Sequence, residues 1–353
     1  MFLRETALRC SAVVLKPSEY SPLTTMFAAR LCDEVGFPPG VVNFISGTGF
    51  AAGSPLSQSA DIDMVSFTGS VPTGSAIMGE AAKNIVKPLL ELGGKSPSVV
   101  FEDVDMDSAL PWVMSGFLSN TGQVCIAQTR LLIHESRKAE LLERLSAELK
   151  QVGFATDPLA VDAARMEVER HRPLGPIVNQ SQFEKVLGFI EDAKAEGARL
   201  VSGGGRPASV STGYFVEPTV FEVEPHHAIW RDEVFGPVLG VKSFSTEAEA
   251  IELANDSNYG LAANVFSQDE DRAERVASRL RAGKVFINQS TFNFPGISQH
   301  GYKQSGLGTE GGLEGLLEYM EIKSIAKNKG TNRPANFMRE ITTVDAVAAS
   351  ARL

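Results

Sequence analysis

The chain has 353 residues, of which 43% are hydrophobic and 22% are charged, and its formal net charge is -10. This length can supply two domains with full hydrophobic cores. The negative charge argues against nucleic acid and anionic membrane surfaces as partners, because both favour basic patches. Three cysteines, Cys10, Cys32 and Cys125, are too few for a disulfide framework and favour a reducing compartment, so we predict a cytoplasmic protein. No apolar run is long enough to span a bilayer, and the first residues lack the apolar core of a secretory signal.

Strands and helices alternate along the first hundred residues. Short apolar runs predict strands at 11–15, 41–45, 64–68 and 98–101. Helical spacing of apolar residues predicts helices at 22–35 and 76–82, with a short helix after the glycines that follow the second strand. This alternation is typical of a parallel, doubly wound sheet.

The alternation resumes after Gly94, so we place a domain boundary near residues 91–97. The predicted helices are 108–118, 139–152, 181–196, 247–255 and 269–280. The predicted strands are 130–134, 199–202, 214–216, 241–244, 261–266 and 284–288. Residues 292–312 are rich in Gly, Pro and polar residues and predict a loop, and the alternating pattern of 317–325 predicts a late strand.

One cysteine and one glutamate stand in contexts that suit covalent carbonyl chemistry. Cys125 follows Gly122-Gln123-Val124, a flexible and polar approach that a core residue does not need. Glu91 lies between two leucines just before a glycine pair. A thiol can attack a carbonyl and a carboxylate can act as a base. Both residues also have plain alternatives: free cysteines usually pack in cores, and Glu91 could pair with Lys95 or Lys87.

Three turns that follow predicted strands are candidate cofactor contacts. Gly47-x-Gly49-x-x-x-Gly53 and Phe67-Thr68-Gly69-Ser70 present backbone amides to a phosphate. Lys16-Pro17-Ser18-Glu19 places a cation and an anion at the carboxyl edge of a strand, where open α/β sheets bind ligands. Gly69-x4-Gly74 precedes Ser75 rather than lysine, so it is not a P-loop. Taken alone, each of the two glycine segments is explained equally well by an ordinary strand–helix turn, and Lys16-Pro17-Ser18-Glu19 is explained better by a solvated loop.

The five histidines form no closely spaced pair, so we predict no metal site.

Taken together, six segments resemble the aldehyde dehydrogenase superfamily, in the family's order, from about Ala12 to Ile325. They are Lys16-Pro17-Ser18-Glu19, Phe67-Thr68-Gly69-Ser70, Leu90-Glu91-Leu92-Gly93-Gly94-Lys95, Gly122-Gln123-Val124-Cys125, Glu233-Val234-Phe235-Gly236-Pro237 and Gly301-Tyr302-Lys303-Gln304-Ser305-Gly306. The resemblance implies an aldehyde dehydrogenase-like α/β fold: a partial doubly wound parallel cofactor-binding domain, an α/β catalytic domain and a late oligomerisation strand. We accordingly divide the chain into a cofactor domain (1–93), a catalytic domain (94–300), a closing loop with the oligomerisation strand (301–326) and a polar, Ala-rich tail (327–353).

The resemblance also implies a role for each matching residue. Cys125 is expected to be the nucleophile, and Glu91 the base that activates water against the thioester on that cysteine. The implied cofactor contacts are Lys16 and Glu19 at the adenosine ribose, Gly49, Phe67, Gly69 and Ser70 on the phosphate side, and Glu233 with Phe235 at the nicotinamide. Glu19 would repel a ribose phosphate, which favours NAD, although NADP stays open. The implied reaction oxidises an aldehyde substrate to a carboxylic acid, and the implied assembly is a homodimer or homotetramer.

Two departures from the family qualify these expectations. The family carries a long segment before the strand at Ala12–Leu15, with an asparagine that is the second oxyanion donor, and we expect this chain to lack it. Losing such a donor typically costs about 10²–10³ in rate. The second departure is Ile297-Ser298-Gln299-His300-Gly301, where Gln299 and His300 replace an apolar residue and a glycine. Phe292, Phe294 and His300 are therefore predicted to line an altered substrate entrance.

Two competing functions remain. A truncated, weakly active or inactive remnant would act as a binding or interaction protein. An ester or thioester hydrolase would use Cys125 and Glu91 without a cofactor, which leaves the ribose-binding and phosphate-binding segments without a purpose.

Overall fold

The computed structural model describes residues 11–157, 173–290, 296–325 and 327. The chain divides into two compact units, residues 1–319 and 320–353. Every helix and strand given below belongs to the first unit. In the second unit, residues 320–325 and 327 form neither helix nor strand.

The strands of the first unit are short, and most of them alternate with helices. The strands are β1 (Val13–Leu15), β2 (Val42–Phe44), β3 (Met64–Thr68), β4 (Lys87–Glu91), β5 (Pro97–Val100), β6 (Arg130–His134), β7 (Arg199–Ser202), β8 (Thr219–Glu222), β9 (Val238–Phe244), β10 (Tyr259–Gly260), β11 (Ala262–Phe266), β12 (Lys284–Ile287), β13 (Gln299–His300), β14 (Tyr302–Lys303), β15 (Gly306–Leu307) and β16 (Thr309–Glu310). The helices are α1 (Leu23–Glu34), α2 (Ser54–Ser57), α3 (Val71–Ala81), α4 (Met106–Leu118), α5 (Lys138–Leu149), α6 (Gln180–Ala195), α7 (Ala228–Arg231), α8 (Glu247–Asn255), α9 (Glu270–Ala277) and α10 (Gly312–Glu318).

Seven strands form the main sheet, in the order β12-β11-β5-β6-β9-β8-β7. All neighbours are parallel except β7, which runs antiparallel to β8 at the edge. A hydrophobic cluster covers each face of this sheet. Successive residues of β5 pack on opposite faces, with Val99 in one cluster and Val100 in the other. A parallel sheet covered on both faces explains why its strands are continuous apolar runs.

The first part of the chain forms two smaller sheets. β1 pairs with β2 in parallel, and β3 pairs with β4 in parallel, with Thr68 opposite Glu91. β15 then adds to β4 from the far end of the chain, in antiparallel orientation, with Gly306 opposite Glu91. The closing segment is thereby fastened to the strand that ends at Glu91.

Opposite edges of two sheets supply the candidate site. Glu91 ends β4, and Gly69 follows the end of β3, so both lie at carboxyl edges. In the seven-stranded sheet the corresponding residues come before strands: Cys125 precedes β6 and Glu233 precedes β9. The link 92–96 joins the end of β4 directly to the start of β5, which brings the two edges together.

Two predicted strands are wrong. Residues 214–216 form no strand; the Tyr214 carbonyl accepts from the Ile177 amide, and the strand forms after Pro218, at Thr219–Glu222. Residues 317–325 form no strand either, because α10 continues to Glu318 and residues 319–325 are irregular. The Glu318 carbonyl accepts from Lys87 Nζ at 2.8 Å, which ties the end of this helix to β4. The oligomerisation role of the segment and the predicted domain division stay predictions.

Candidate functional site

The cysteine loop is held in an unusual backbone conformation. Asn120, Thr121 and Gly122 have positive φ values of 51°, 58° and 72°. A Cβ on Gly122 would lie 2.2 Å from the Gly236 carbonyl oxygen, so only glycine fits there. Left-handed conformations at non-glycine residues are costly and persist only where the surroundings impose them.

Gln123 fastens this loop to residues 176–178. Its Oε1 accepts from the Val178 amide at 2.9 Å, and its Nε2 donates to the carbonyls of Asn120 at 3.2 Å and Pro176 at 3.4 Å. The flexible approach predicted from Gly122 and Gln123 is therefore wrong. The loop is anchored at Gln123, two residues before Cys125.

Cys125 is half-buried and packs beside an apolar cluster that includes Ile126, Leu261 and Phe286. Burial raises the pKa of its thiol to about 11, and the carboxylates of Glu91 and Glu233 raise this pKa further. The backbone amides of Ile126 and Cys125 oppose the shift. In this state the residue is a thiol that needs a base before it can attack.

Glu91 is buried, with 2% of its surface exposed. Its Oε2 accepts from Gln299 Nε2 at 2.9 Å, while Oε1 has no hydrogen-bond partner in the part of the chain that the structure describes. Burial raises the pKa of Glu91 to about 7, and the charge of Glu310 adds to this rise. A carboxyl group with this pKa can serve as a base near neutral pH.

The suggested pairing of Glu91 with Lys87 or Lys95 is wrong. Lys87 Nζ lies 2.5 Å from Glu318 Oε2. Lys95 Nζ is buried and makes no hydrogen bond among the described residues.

Gly93 and Gly94 bring the two edges into contact. A Cβ on Gly93 would lie 2.4 Å from Glu233 Oε2, and a Cβ on Gly94 would lie 2.4 Å from the Cys125 carbonyl oxygen. The closing segment holds the same stretch, because the buried Ser305 hydroxyl donates to the Gly93 carbonyl at 2.7 Å. The glycine pair is thus needed for close approach to both Glu233 and the cysteine loop.

Glu233 and Phe235 lie across this glycine pair from Glu91. Glu233 Oε1 accepts from the Gly94 amide at 3.1 Å, and burial raises the pKa of the Glu233 carboxyl. Phe235 has a positive φ of 57°, and the Gln182 side chain donates to its carbonyl at 3.0 Å. The structure therefore brings together Cys125, Glu91, Glu233 and Phe235.

Two buried basic residues, Lys95 and Arg130, lie behind the site. Burial lowers the pKa of Lys95 to about 7, the charge of Arg130 lowers it further, and Glu233 opposes the shift. Arg130 donates to the carbonyls of Lys95, Leu253 and Ala254 at 2.8, 3.0 and 2.7 Å. Its guanidinium carbon lies 5.1 Å from the centre of the Trp230 ring. Nothing in the local pattern around Arg130 signals this role.

The candidate ribose contacts form a second cluster. Lys16 Nζ donates to the Gly47 carbonyl at 3.1 Å and lies 3.7 Å from Glu19 Oε2. A hydrogen bond from its own backbone amide lowers the pKa of Glu19, and Lys16 and the Gly49 amide lower it further. The structure thus places Lys16, Glu19 and Gly49 side by side, with an ionised and partly exposed carboxylate.

The candidate phosphate contacts lie next to Glu91. The Gly69 amide donates to the Glu91 carbonyl at 3.0 Å, and the Ser70 hydroxyl accepts from the Thr73 amide at 3.4 Å as the N-cap of α3. A Cβ on Gly69 would lie 2.4 Å from the Phe67 ring, so the ring lies close over the glycine. The eleven-residue helix α3 begins here, with Pro72, which has no amide hydrogen, in its first turn.

The sequence alone missed two side chains beside Glu91. Gln299 bonds it directly, and Lys284 Nζ donates to Gln299 Oε1 at 3.0 Å. The Gln299-His300 departure from the family was the available signal. Phe292 and Phe294 lie outside the described residues.

The described residues contain no group of three or more His, Cys, Asp or Glu side chains arranged to hold a metal ion. Nor does any helix in the described ranges have the length and apolar character needed to cross a membrane.

Comparison with known proteins gives consistent matches over nearly the whole chain. The sequence model of the aldehyde dehydrogenase family matches residues 6–325. Betaine aldehyde dehydrogenase of Amaranthus hypochondriacus, described as chloroplastic, is 48% identical over 330 residues, which are 93% of this chain and 64% of that protein. Aminoaldehyde dehydrogenase 2 of Pisum sativum, described as peroxisomal, is 48% identical over 318 residues, which are 90% of this chain and 61% of that protein.

The fold is shared with solved structures. Betaine aldehyde dehydrogenase from Staphylococcus aureus in complex with NAD+ superimposes with a TM-score of 0.86 at 41% identity, over 93% of this chain and 64% of that one. The NAD-dependent aldehyde dehydrogenase from Sinorhizobium meliloti superimposes with a TM-score of 0.86 at 38% identity, over 92% of this chain and 62% of that one. The predicted aldehyde dehydrogenase-like α/β fold class is confirmed. The chain spans somewhat less than two thirds of the length of the relatives it matches.

Proposed function

The chain belongs to the aldehyde dehydrogenase family, and we propose that it oxidises an aldehyde to a carboxylic acid through a thioester on Cys125, with NAD as electron acceptor. The observation that carries this proposal is the meeting of Cys125, Glu91 and Glu233 around Gly93 and Gly94. A nucleophile, an acid–base carboxyl group and a second carboxyl group are thereby placed within one small region of the molecule.

The residues present suit a dinucleotide. Glu19 is 39% exposed at its side chain and can accept hydrogen bonds from two ribose hydroxyls. Gly69 and Ser70 present the start of α3 to a diphosphate, and Glu233 can receive a second ribose. The ionised Glu19 disfavours a phosphate on the adenosine ribose, which supports NAD over NADP. When bound, NAD supplies an acceptor for the hydride that leaves the aldehyde carbon.

The chain's own residues account for the covalent steps. The Cys125 thiol, whose pKa of about 11 keeps it protonated, transfers its proton to Glu91 and attacks the carbonyl carbon. The Cys125 backbone amide, in its anchored loop, donates to the oxygen that becomes negative. Loss of hydride from that carbon leaves the thioester.

Hydrolysis of the thioester uses the same carboxylate, after Glu91 has released the proton of the Cys125 thiol to solvent. Glu91 Oε1 is buried without a protein hydrogen bond among the described residues, so it can accept a proton from water beside Cys125. The hydroxide adds to the thioester carbon, the carbon–sulfur bond breaks, and the acid leaves with Cys125 regenerated. A pKa of about 7 allows Glu91 to take and return protons near neutral pH.

For the substrate we propose an aldehyde that carries an amino or quaternary ammonium group. The similar proteins named above are betaine aldehyde and aminoaldehyde dehydrogenases. Within this chain, the carboxyl groups of Glu91 and Glu233 both act electrostatically on Cys125, so they offer opposite charge to a cationic group on a substrate bound there. Assembly as a homodimer or homotetramer and a cytoplasmic location remain predictions.

The test follows NADH absorbance with purified chain, NAD and three aldehydes: betaine aldehyde, an aminoaldehyde and an uncharged aldehyde of similar length. We expect turnover with the cationic substrates, and a loss of about 10³-fold or more in Cys125→Ala. Cys32→Ala is the matched control and should retain wild-type turnover, because Cys32 lies in α1.

Turnover no higher than that of Cys125→Ala would contradict the proposal. NAD binding by titration calorimetry without any NADH would favour a binding protein instead. Ester cleavage that depends on Cys125 and is indifferent to NAD would favour a hydrolase.

A further inference from the structure

We propose that Lys284 and Gln299 are positioning residues that fix the orientation of Glu91 and favour its basic form. The inference rests on the proposed function, because it assigns the regulation of the base that the reaction needs. The three side chains come from β12, β13 and β4, which are separated by up to 208 residues in the sequence.

The contacts form one connected line. Lys284 Nζ donates to Gln299 Oε1 at 3.0 Å, and Gln299 Nε2 donates to Glu91 Oε2 at 2.9 Å. Lysine carries donors only, so the amide must turn its oxygen toward Lys284 and its NH2 group toward Glu91. Lys284 thereby decides which way the Gln299 amide points.

These contacts engage only one carboxyl oxygen of Glu91, Oε2, so that Oε1 is available to accept a proton. Gln299 occupies Oε2, whereas Oε1 has no hydrogen-bond partner among the described residues. A carboxylate held by one oxygen cannot rotate freely, so Oε1 keeps one direction. The group that meets water or the thiol is therefore set by Gln299.

Gln299 also biases the protonation of Glu91. An N–H donor stabilises a carboxylate more than a neutral carboxyl group, so it lowers the pKa. Gln299 and Lys284 both lower the pKa of Glu91, while burial and the charge of Glu310 raise it, and the result is about 7. Cys125 also faces this group: the charge of Glu91 raises the pKa of Cys125, and Cys125 raises the pKa of Lys284.

Backbone contacts hold the strands that carry Lys284 and Gln299 against each other. A Cβ on Gly283 would lie 1.4 Å from the His300 carbonyl oxygen, so the start of β12 touches β13 directly. β13 is held in turn by β16, with Gln299 opposite Glu310. Lys284 is buried, and burial lowers the pKa of its ammonium group while Glu91 opposes that shift. The charged form of Lys284 is therefore stabilised by Gln299 and Glu91 rather than by solvent.

The decisive measurement is the titration of Glu91 itself. Carboxyl ¹³C resonances of the glutamate-labelled full chain are followed with pH, and Glu91 is assigned by its loss in Glu91→Gln. We expect Gln299→Leu and Lys284→Met each to raise the pKa of Glu91 by about one unit, because one removes a donor and the other a nearby cation. Lys284→Arg keeps donor and charge and should stay near the wild-type value.

Turnover supplies the second readout. In the same variants the acid limb of the kcat–pH profile should move upward with the titration, with KM for the aldehyde nearly unchanged. Should Gln299→Leu fail to fold, Gln299→Glu replaces it, and the added carboxylate should raise the pKa of Glu91 still further.

The outcomes separate the two proposals. A Glu91 pKa in well-folded Gln299→Leu and Lys284→Met that matches wild type overturns the positioning role, whatever the turnover. An equal rise in Lys284→Arg and Lys284→Met also overturns it. A shifted titration in a chain without turnover upholds the coupling to Glu91 and contradicts the proposed function alone.

Discussion

The seven-stranded sheet and the region of β1, α1 and β2 use similar side chains in opposite surroundings. In α4, which packs on the large sheet, seven of thirteen residues are buried, including Leu110 and Phe117. In α1 no residue is buried, and even the apolar side chains of Leu23 and Phe27 are 81% and 60% exposed. Apolar periodicity predicts a helix in both cases, but packing stabilises only one of them strongly.

This contrast separates the parts of the site. Cys125 and Glu233 lie in loops anchored on the densely packed sheet. Lys16 and Glu19 lie just after β1, in the two-stranded sheet that β1 forms with β2. Regions with few buried contacts open more readily than cores. We therefore expect hydrogen exchange to be fastest in residues 11–45 and slowest in β5, β6 and β9.

The largest effect should come from a matched pair of phenylalanines. Phe221 in β8 is fully buried in the main core, and Phe27 in α1 is 60% exposed. Phe221→Ala should lower the free energy of unfolding by about 3–5 kcal/mol, because it creates a cavity. Phe27→Ala should change it by less than about 0.5 kcal/mol. Urea unfolding measures both, and equal losses would contradict the contrast between the regions.

A matched pair of arginines should give the next effect. Arg130 is 1% exposed and donates to carbonyls at the end of α8, whereas Arg30 in α1 forms an exposed ion pair with Glu34 at 2.9 Å. Arg130→Met should cost about 2–3 kcal/mol, since it leaves buried carbonyls without donors. Arg30→Met should cost at most a few tenths of a kcal/mol. Thermal unfolding of the two variants makes the comparison. An Arg130→Met variant as stable as wild type would show that water replaces the hydrogen bonds of the guanidinium group.

The smallest effect should depend on pH and differ in sign between two glutamates. The folded pKa of Glu91, about 7, lies above its ordinary value of 4.5, so the folded state binds more protons and stability falls as pH rises from 4.5 through 7. Glu91→Gln should thus be more stable than wild type at pH 8 and no different below pH 4.5.

Glu19 provides the opposite case. Its pKa is lowered, so its contribution to stability is present above pH 4.5 and is lost as pH falls through the lowered folded pKa. Glu19→Gln should therefore be slightly less stable than wild type at neutral pH and equal to it in acid. Stability curves of both variants from pH 3 to pH 9 check the signs, and a gain for Glu19→Gln at pH 8 would contradict the assignment.

Much of the fold and of the site was predictable from local pattern. Alternation of apolar strands and amphipathic helices predicted the strands of the large sheet apart from 219–222. The residues around Cys125 and Glu91 predicted that this thiol and this carboxyl group act in the same reaction and therefore belong to one site. The errors at 214–216 and 317–325 have a common cause. Both segments have apolar patterns that suit a strand, and their backbone groups found partners elsewhere in the molecule.

The sequence by itself determined the fold class, the family resemblance and the candidate nucleophile, because these depend on periodicity and on short segments in a fixed order. Only the tertiary structure decided that the carboxyl edge of β4 meets the amino edge of the large sheet at Gly93 and Gly94. It also decided that Lys284 and Gln299 reach Glu91. Such contacts join residues that lie up to 208 positions apart, and they depend on the order of strands in a sheet, which no local pattern encodes.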